Sequence, residues 1–211
     1  MEIDILYEST WLLAVNKPAG VLVEKSPYYP SVETWAENYV AQQSKKPFVG
    51  IVHRLDRPVS GVLLLAKKKA ALKDLNEQFR LRTIQKTYLA LVENEPPTPS
   101  GALLHWLKKD IINKKAIIYN NAVKQSEECR LDYNIIEKKG AFYLLQITLH
   151  TGKFHQIRAQ LAAIGCPIVG DEKYGAAHFY KNDAIALHAN RLIFKDPLTA
   201  QPVIVEAPAP F

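Results

Sequence analysis

The spacing of apolar positions changes along the chain, and each spacing predicts a different type of element. After Ser31, apolar residues recur every three to four positions as far as Val40, which predicts a helix with Ser31 as its N-cap. Residues 72–79 have the same spacing and predict a second helix, whose solvated face would carry the lysines at 67–69 and 73. An amphipathic helix is predicted over residues 154–164, where Gly165 would end it.

Strand-like segments outnumber the helical ones. Residues 62–66 form a continuous apolar run, as in a buried strand, and short strands are predicted within 3–15, 87–92 and 184–205. Residues 129–137 and 141–150 alternate around Lys-Lys-Gly at 138–140, which predicts a hairpin. This pattern favours the α+β class, with a central mixed, mostly antiparallel β-sheet flanked by helices and loops.

The organisation predicted for the chain is a single domain of two lobes. Residues 95–99 read Glu-Pro-Pro-Thr-Pro, a stiff and extended connector, so a lobe boundary is expected near residues 95–100. The length of 211 residues fits one large domain or two small lobes.

Composition and charge narrow the class of protein. The net charge of +6 suits an acidic partner such as RNA or DNA, although a basic protein without such a partner has the same balance. The two cysteines, Cys129 and Cys166, are too few for a disulfide framework, so a reducing cytoplasm is expected. No signal peptide and no apolar stretch of about 18 residues is found, so no membrane association is expected.

Sequence motifs for cofactors are absent. The chain has no phosphate-binding glycine motif and no histidine or cysteine pairs at metal-ligand spacing. We therefore expect neither a cofactor nor a metal ion.

The most informative residue is Asp56. It lies between Arg54 and Arg57, just before the apolar run at 62–66, with Pro58 and Gly61 predicting a tight loop. A carboxylate on a loop at the mouth of a buried strand is well placed for chemistry, and cationic neighbours favour its ionised form. Taken alone, the same pattern favours a simple ion pair with Arg54 or Arg57 on a surface loop, because exposed ion pairs are common.

Five motifs in a fixed order resemble those of the RluA-type RNA pseudouridine synthases. They are residues 16–20 (Asn-Lys-Pro-Ala-Gly), 53–61 (the Asp56 loop), 86–92 (with Lys86 and Tyr88), 151–175 (with Arg158) and 187–199. The resemblance covers about residues 3–207 and implies the pseudouridine synthase-like catalytic domain over 1–211. Because the chain begins at the first strand of that domain, no N-terminal S4-type RNA-binding domain is expected.

The resemblance implies an isomerase that converts specific uridines of tRNA or rRNA to pseudouridine after base flipping. It makes Asp56 the essential carboxylate, Arg158 its ion-pair partner and Tyr88 the ring packed on the uracil. Addition to the base, attack at the sugar and a glycal route all remain compatible with Asp56. The implied partner is an RNA stem-loop, and the protein would act as a cytoplasmic monomer.

Binding of RNA or substrate is expected from the other polar residues of these motifs. Arg54 would fill the space left by the flipped base, and Lys17 would brace the catalytic loop. The full expected set is Arg54, His53, Arg57, Lys17, Lys86, Lys153, His155 and Gln156. For His53 and His155 a role as hydrogen-bonded structural residues is expected as well. Lysines 108, 109, 114 and 115, which lie near Trp106 and Tyr119, are further candidates for phosphate contacts.

Two alternatives stay open at this point. The first is a non-catalytic RNA-binding or RNA-chaperone protein on the same scaffold. The second is a carboxylate-dependent glycosidase or phosphoribosyl enzyme acting on small nucleosides, which needs a second carboxylate or a phosphate loop. The chain also departs from the usual family pattern at Val59, Lys153, Ala159, Gln160 and Cys166.

Overall fold

The computed structural model describes all residues from 1 to 211 and contains eleven β-strands and three α-helices. The helices are α1 (Val32–Gln43), α2 (Lys69–Arg80) and α3 (Gln156–Ala163). The strands are β1 (Ile5–Glu8), β2 (Leu12–Lys17), β3 (Gly50–Ile51), β4 (Ser60–Ala66), β5 (Gln85–Val92), β6 (Ser100–Asp110), β7 (Lys115–Tyr119), β8 (Glu127–Lys139), β9 (Phe142–Leu149), β10 (Leu187–Lys195) and β11 (Pro202–Glu206).

The strand pairing confirms the expected fold class. The eight strand pairs with a defined register are all antiparallel, and the strands form a mixed sheet with helices beside it. The fold is therefore α+β, with a mostly antiparallel sheet, as the hairpin pattern predicts.

The chain divides into two compact units. The first unit comprises residues 1–85 with 182–184 and 189–210, and the second comprises 86–181 with 185–188 and residue 211. Strands of the first unit follow the order β1-β2-β4-β10, with β3 on β4 and β11 on β10, whereas those of the second follow β5-β9-β8-β6-β7. The chain first passes between units after Gln85, and residues 95–99 lie within the second unit. The single catalytic domain with a boundary near 95–100 stays a prediction.

The core of the first unit is built on β4. Residues 61–66 are all buried because β2 flanks β4 on one side and α2 packs with it in one cluster. Leu12, Leu64, Leu75 and Phe194 belong to this cluster. Burial on both faces explains why the β4 sequence is a continuous apolar run rather than an alternating one.

Gly61 marks a close approach of two strands in the first unit. Its φ angle is +115°, and an added Cβ atom would lie 2.3 Å from the carbonyl oxygen of Ala189. Only glycine fits this position, directly after Ser60 and shortly after the Asp56 loop. Gly61 pairs with Lys17 in the β2–β4 register, so it fixes where the two motif segments meet.

The first two helices agree with their predictions except at one end. Ser31 caps α1 through its Oγ atom, which accepts a hydrogen bond from the backbone N–H of Thr34. The prediction that Lys67 and Lys68 belong to the solvated face of α2 is wrong, because α2 begins at Lys69. Lys67 is instead largely buried, and its Nζ atom lies 2.6 Å from Oε1 of Glu8.

In the second unit, the hairpin is confirmed and the last helix differs from its prediction. β8 and β9 pair as expected on either side of Gly140. α3 covers only Gln156–Ala163, and all its residues from 156 to 161 are buried, so it is not amphipathic. The polar side chains in this helix have hydrogen-bond partners within the unit, which is why they can lie inside. Across the chain, no helix combines the length and apolar character needed to cross a membrane.

Candidate active site

The Asp56 loop is a tight turn at the entrance to β4. The backbone N–H of Val59 donates to the carbonyl oxygen of Asp56 at 3.0 Å, which closes the turn around Pro58. Leu55 and Val59 are buried and anchor the loop in the core, whereas Asp56 is half-buried. The carboxylate thus lies on a rigid loop that both the core and the turn keep in place.

Lys17 is fully buried under this loop. Its Nζ atom donates to the carbonyl oxygens of Pro18 at 2.9 Å and Arg57 at 3.2 Å. The N–H of Gly20 donates to the same Arg57 oxygen at 2.8 Å. Lys17 therefore ties its own turn to the Asp56 loop, which is the bracing expected of it from the motif.

The pKa of the Lys17 side chain is strongly lowered. Burial lowers the pKa of the Lys17 ammonium to about 7, the negative charge of Asp56 acts to raise it, and the nearby Arg57 lowers it further. Asp56 and Lys17 are therefore electrostatically coupled within the first unit. The motif gives no sign that this lysine is buried, so sequence reasoning missed the coupling.

The two arginines beside Asp56 form ion pairs with other acids. Nη1 of Arg54 lies 3.2 Å from Glu24, and Nη2 of Arg57 lies 2.9 Å from Asp183. Arg57 also donates from Nε to the carbonyl oxygen of Gly20. Arg54 is exposed to solvent, whereas Arg57 is half-buried and held against the loop.

The two histidines of the motifs are hydrogen-bonded, as expected for structural residues. Nε2 of His53 accepts a hydrogen bond from the N–H of Leu64 at 3.0 Å, and its ring stacks on Phe79. Nδ1 of His155 lies 3.0 Å from the hydroxyl of Tyr174, and its ring stacks on Phe154.

Residues 151–158 form the entry to α3. The backbone at His155 has a φ angle of +51°, and the side chain of Gln156 bonds to the Thr151 hydroxyl and the Lys153 N–H. Nζ of Lys153 lies 2.6 Å from Glu127. Lys153 and Gln156 thus hold this loop in shape, and a role of either in RNA binding stays a prediction.

Arg158, in the first turns of α3, makes a forked ion pair with Asp171. Nε and Nη2 of Arg158 donate to the two carboxylate oxygens at 2.7 and 2.8 Å, and both side chains are almost fully buried. The Arg158 guanidinium also lies 5.1 Å above the ring of Tyr174. Two of the five guanidinium N–H groups serve Asp171, which orients the remaining three. The sequence analysis did not predict this pair.

Tyr88 and Lys86 lie on β5 of the same unit. Tyr88 lies opposite Ile147 of the neighbouring strand β9 and is largely buried. Nζ of Lys86 lies 3.7 Å from the position that a Cβ atom of Gly152 would take, which places it beside the loop before α3. Asp56 belongs to the first unit and Tyr88 and Arg158 to the second, and the Asp56–Arg158 pair stays a prediction.

A buried series of hydrogen bonds links the side chains of Gln156, Gln160 and His105, and the sequence did not reveal it. Nε2 of Gln160 donates to the Leu103 carbonyl at 3.1 Å and contacts Nδ1 of His105 at 3.0 Å. Its Oε1 accepts from Nε2 of Gln156 at 2.9 Å. Burial lowers the pKa of His105, consistent with a neutral ring that accepts this bond. The signal was present as two glutamines four positions apart, which share one helix face.

Comparison with known proteins identifies a family. Residues 11–163 match the family of RNA pseudouridylate synthases. An uncharacterized RNA pseudouridine synthase from Chlorobaculum parvum is 34% identical over 99% of this chain and 71% of its own length. The ribosomal large subunit pseudouridine synthase C of Vibrio vulnificus is 35% identical over 97% of this chain and 65% of its own length. The chain spans about two thirds of the length of these relatives.

Solved structures support the same fold. Human RNA pseudouridylate synthase domain containing 4 superimposes with a TM-score of 0.82 at 21% identity, covering 98% of this chain and 88% of that one. The human protein named domain containing 1 has the same TM-score at 23% identity, covering 100% of this chain and 84% of that one. The fold predicted from the motifs and the predicted class of enzyme are both those of the matched family. The chain belongs to the RNA pseudouridylate synthase family.

Proposed function

We propose that this protein converts a uridine in RNA to pseudouridine, with Asp56 as the catalytic carboxylate. The observation that carries the proposal is the Asp56 loop, in which a half-buried carboxylate sits on a closed turn over the buried ammonium of Lys17. Family membership supplies the reaction class. Ribosomal large subunit RNA is the first substrate to test, because the Vibrio vulnificus relative is named for it, and tRNA is the second.

The reaction is an exchange of bonds at one nucleoside. The bond between N1 of uracil and C1′ of ribose breaks, C5 bonds to C1′, the C5 proton leaves to solvent and N1 gains a proton. We propose that Asp56 acts on the sugar or the base during this exchange, while Tyr88 packs on the uracil and assists proton transfer at C5. The three chemical routes share the need for an ionised carboxylate at position 56.

In this proposal Arg158 holds Asp56 through the guanidinium N–H groups that Asp171 does not use. Arg54 enters the RNA stack where the target base has left, and Lys86, Lys153 and His155 contact RNA near the α3 loop. The reaction needs no cofactor or metal ion. A cytoplasmic location, a monomeric state and an RNA stem-loop as substrate belong to the same proposal.

A glycosidase acting on small nucleosides requires a second carboxylate, and Asp171 is poorly suited to that role. Asp171, the acid nearest to Arg158 along the motif, is almost fully buried with both oxygens bound by Arg158. Because both of its oxygens accept hydrogen bonds from Arg158, this carboxylate is not available to act on a substrate. This arrangement favours the synthase over the glycosidase alternative.

The test replaces Asp56 with Asn, which keeps the shape of the side chain and removes its charge. Tritium release from RNA labelled at C5 of uridine, either 23S-type rRNA fragments or tRNA, should fall at least about 10³-fold, since a removed nucleophile or base typically costs that much. Binding of the same RNA should change less than about threefold. Asp74→Asn, at an exposed carboxylate of α2, is the matched control and should retain full activity.

Two outcomes would contradict the proposal. Undiminished tritium release by Asp56→Asn would remove Asp56 from the chemistry. Turnover of free uridine at a rate comparable with that of RNA would favour the nucleoside enzyme instead.

A further inference from the structure

An ordered loop in the first unit holds two tyrosines out in solvent. It spans residues 23–30, and its ends are joined by a bridge between Leu22 and Ser31. Lys25 bonds from its backbone N–H to the carboxylate of Glu33, at 2.8 Å, which ties the loop to the first turn of α1. The loop is therefore fixed at both ends and along one side.

The tip of this loop is stiff as well as exposed. Tyr28 is 85% exposed and Tyr29 51% exposed, and prolines at positions 27 and 30 flank the pair. The backbone N–H of Tyr28 donates to Oγ of Ser26 at 3.2 Å. Prolines restrict the backbone, so the two rings are presented with little conformational freedom to lose on binding. Exposed tyrosines in such a setting are typical of surfaces that bind a partner.

The second tyrosine connects the loop to the catalytic residue. The Arg57 guanidinium lies 4.8 Å above the centre of the Tyr29 ring. Arg57 follows Asp56 directly in sequence and is fixed by Asp183 and by the carbonyl oxygen of Gly20. The ring of Tyr29 is thus held against the Asp56 loop, and Tyr28, the preceding residue, is exposed to solvent.

The charges around the loop do not form a phosphate site. Lys25 is paired with Glu37 at 2.6 Å, and Arg54 is paired with Glu24 at 3.2 Å. With the nearby cations matched by acids, electrostatic attraction to the RNA backbone is weak here. A flat aromatic ring binds by stacking, and the partner in RNA that offers a flat face is an unpaired base.

We propose that Tyr28 is a stacking platform for an unpaired base of the substrate RNA beside the Asp56 loop, and that Tyr29 and Arg57 hold the platform in position. The inference rests on the proposed function, since it takes RNA as the substrate. It adds a binding site for a second base, apart from the uridine that reacts.

The test measures equilibrium binding rather than turnover, in an Asp56→Asn background, so that a failure of the proposed chemistry at Asp56 and a failure of the stacking site give different results. The probe is a single-stranded oligouridylate of about ten nucleotides. Tyr28→Ala should weaken its binding by about 5- to 150-fold, the loss expected for one stacked base. Tyr28→Trp should restore affinity, and oligouridylate should quench the fluorescence of the new tryptophan.

Further variants separate base stacking from apolar contact and from phosphate binding. Tyr28→Leu keeps an apolar side chain without a π face and should bind as weakly as Tyr28→Ala. The salt dependence of binding should be the same in Tyr28→Ala as in the parent, because no phosphate contact is lost. Phe179→Ala, at another highly exposed ring, is the matched control and should bind normally.

Each opposite result would overturn the proposal. Full affinity of Tyr28→Leu for oligouridylate would show that binding needs no aromatic ring at position 28, and full affinity of Tyr28→Ala would show that RNA does not use this side chain. An unquenched tryptophan at saturating oligouridylate, or an equal loss of binding in Phe179→Ala, would show that no base stacks at position 28.

Discussion

Lys17 couples a single proton to the stability of the loop that carries Asp56. Its ammonium has no contact with bulk water, and its two hydrogen bonds go to the carbonyl oxygens of Pro18 and Arg57. A neutral amine has two N–H groups and can keep both bonds. Deprotonation therefore removes the cost of a buried charge without leaving either carbonyl unpaired.

This coupling predicts that Lys17 makes the protein more stable as the pH rises above 7. The pKa of Lys17 is about 7 in the folded protein against an ordinary value of 10.5, so the unfolded chain binds more protons between these values. The free energy of unfolding should rise by about 1.4 kcal/mol per pH unit in that window through this group alone. Below about pH 7 both states are protonated, and the contribution of Lys17 is constant.

Urea unfolding of the wild type and of Lys17→Met at pH 7 and pH 9 measures the effect. The difference in unfolding free energy between the two proteins should grow by about 2–3 kcal/mol in favour of the wild type. Other titrating groups cancel because both proteins contain them, including Cys129, whose thiol pKa is raised by burial to about 11. A difference that stays flat over this range would show that Lys17 titrates near its ordinary value.

Residue positions were easier to predict than residue environments. The motifs identified Lys17, Asp56 and Arg158 as important, and the structure finds them at the end of β2, on a closed loop and in α3. The burial of Lys17 and the fork between Arg158 and Asp171 did not follow from the sequence. Both depend on which segments pack over a side chain, and that information is spread over the chain rather than held near the residue.

At the scale of elements, α3 shows why local pattern is an incomplete guide. Its sequence mixes apolar and polar residues as a surface helix does, and the predicted amphipathic helix was longer. The structure buries Gln156 and Gln160 because each amide is satisfied by the other and by neighbouring backbone. Hydrophobic periodicity assumes that polar side chains face water, and it fails where they are paired inside.

Gly61 provides a test of how strands meet at the base of the Asp56 loop. Gly61→Ala would place a Cβ atom 2.3 Å from a backbone oxygen and 2.6 Å from a backbone nitrogen of Ala189, at a φ angle of +115°. Backbone atoms cannot rotate away as side chains do, so we expect a loss of at least about 3 kcal/mol in unfolding free energy.

Gly140→Ala is the matched control for this substitution. Gly140 also has a positive φ angle, +62°, but no atom lies within 4 Å of the position of its added Cβ. Its cost should be only the left-handed backbone strain, about 1 kcal/mol. Unfolding midpoints in urea compare the two variants, and similar midpoints would mean that the contact with Ala189 is not the cause.

For the whole molecule, the class of fold and the family follow from features that are local in sequence. Hairpins such as β8–β9 and the caps of helices such as α1 depend on a few adjacent residues. The order of the motifs, which indicates the family, can be read from the sequence without any knowledge of how the chain packs. The division into units is different, because residues 182–184 and 189–210 return to the first unit from the far end of the chain. Such returns are long-range, and no local composition change marks them.

The net charge of +6 is a property of the whole molecule, and it predicts salt-sensitive binding to RNA. The β6–β7 hairpin carries four lysines and two exposed isoleucines, Ile111 and Ile112, near its tip. Lys109 lies over the ring of Phe154 at 4.6 Å and Lys115 over that of Tyr174 at 5.9 Å. The other two, Lys108 and Lys114, are therefore the better candidates for phosphate contacts.

The double variant Lys108→Gln, Lys114→Gln should bind rRNA fragments with a shallower salt dependence. Each phosphate contact to a single strand contributes about 0.7 to the slope of log affinity against log salt, so the slope should decrease by about 1.4. Exchanging Lys45 and Lys46, two exposed lysines that follow α1, for Gln removes the same charge and should leave the slope unchanged. Equal effects of the two double variants would mean that the net charge, rather than the hairpin, sets the affinity for RNA.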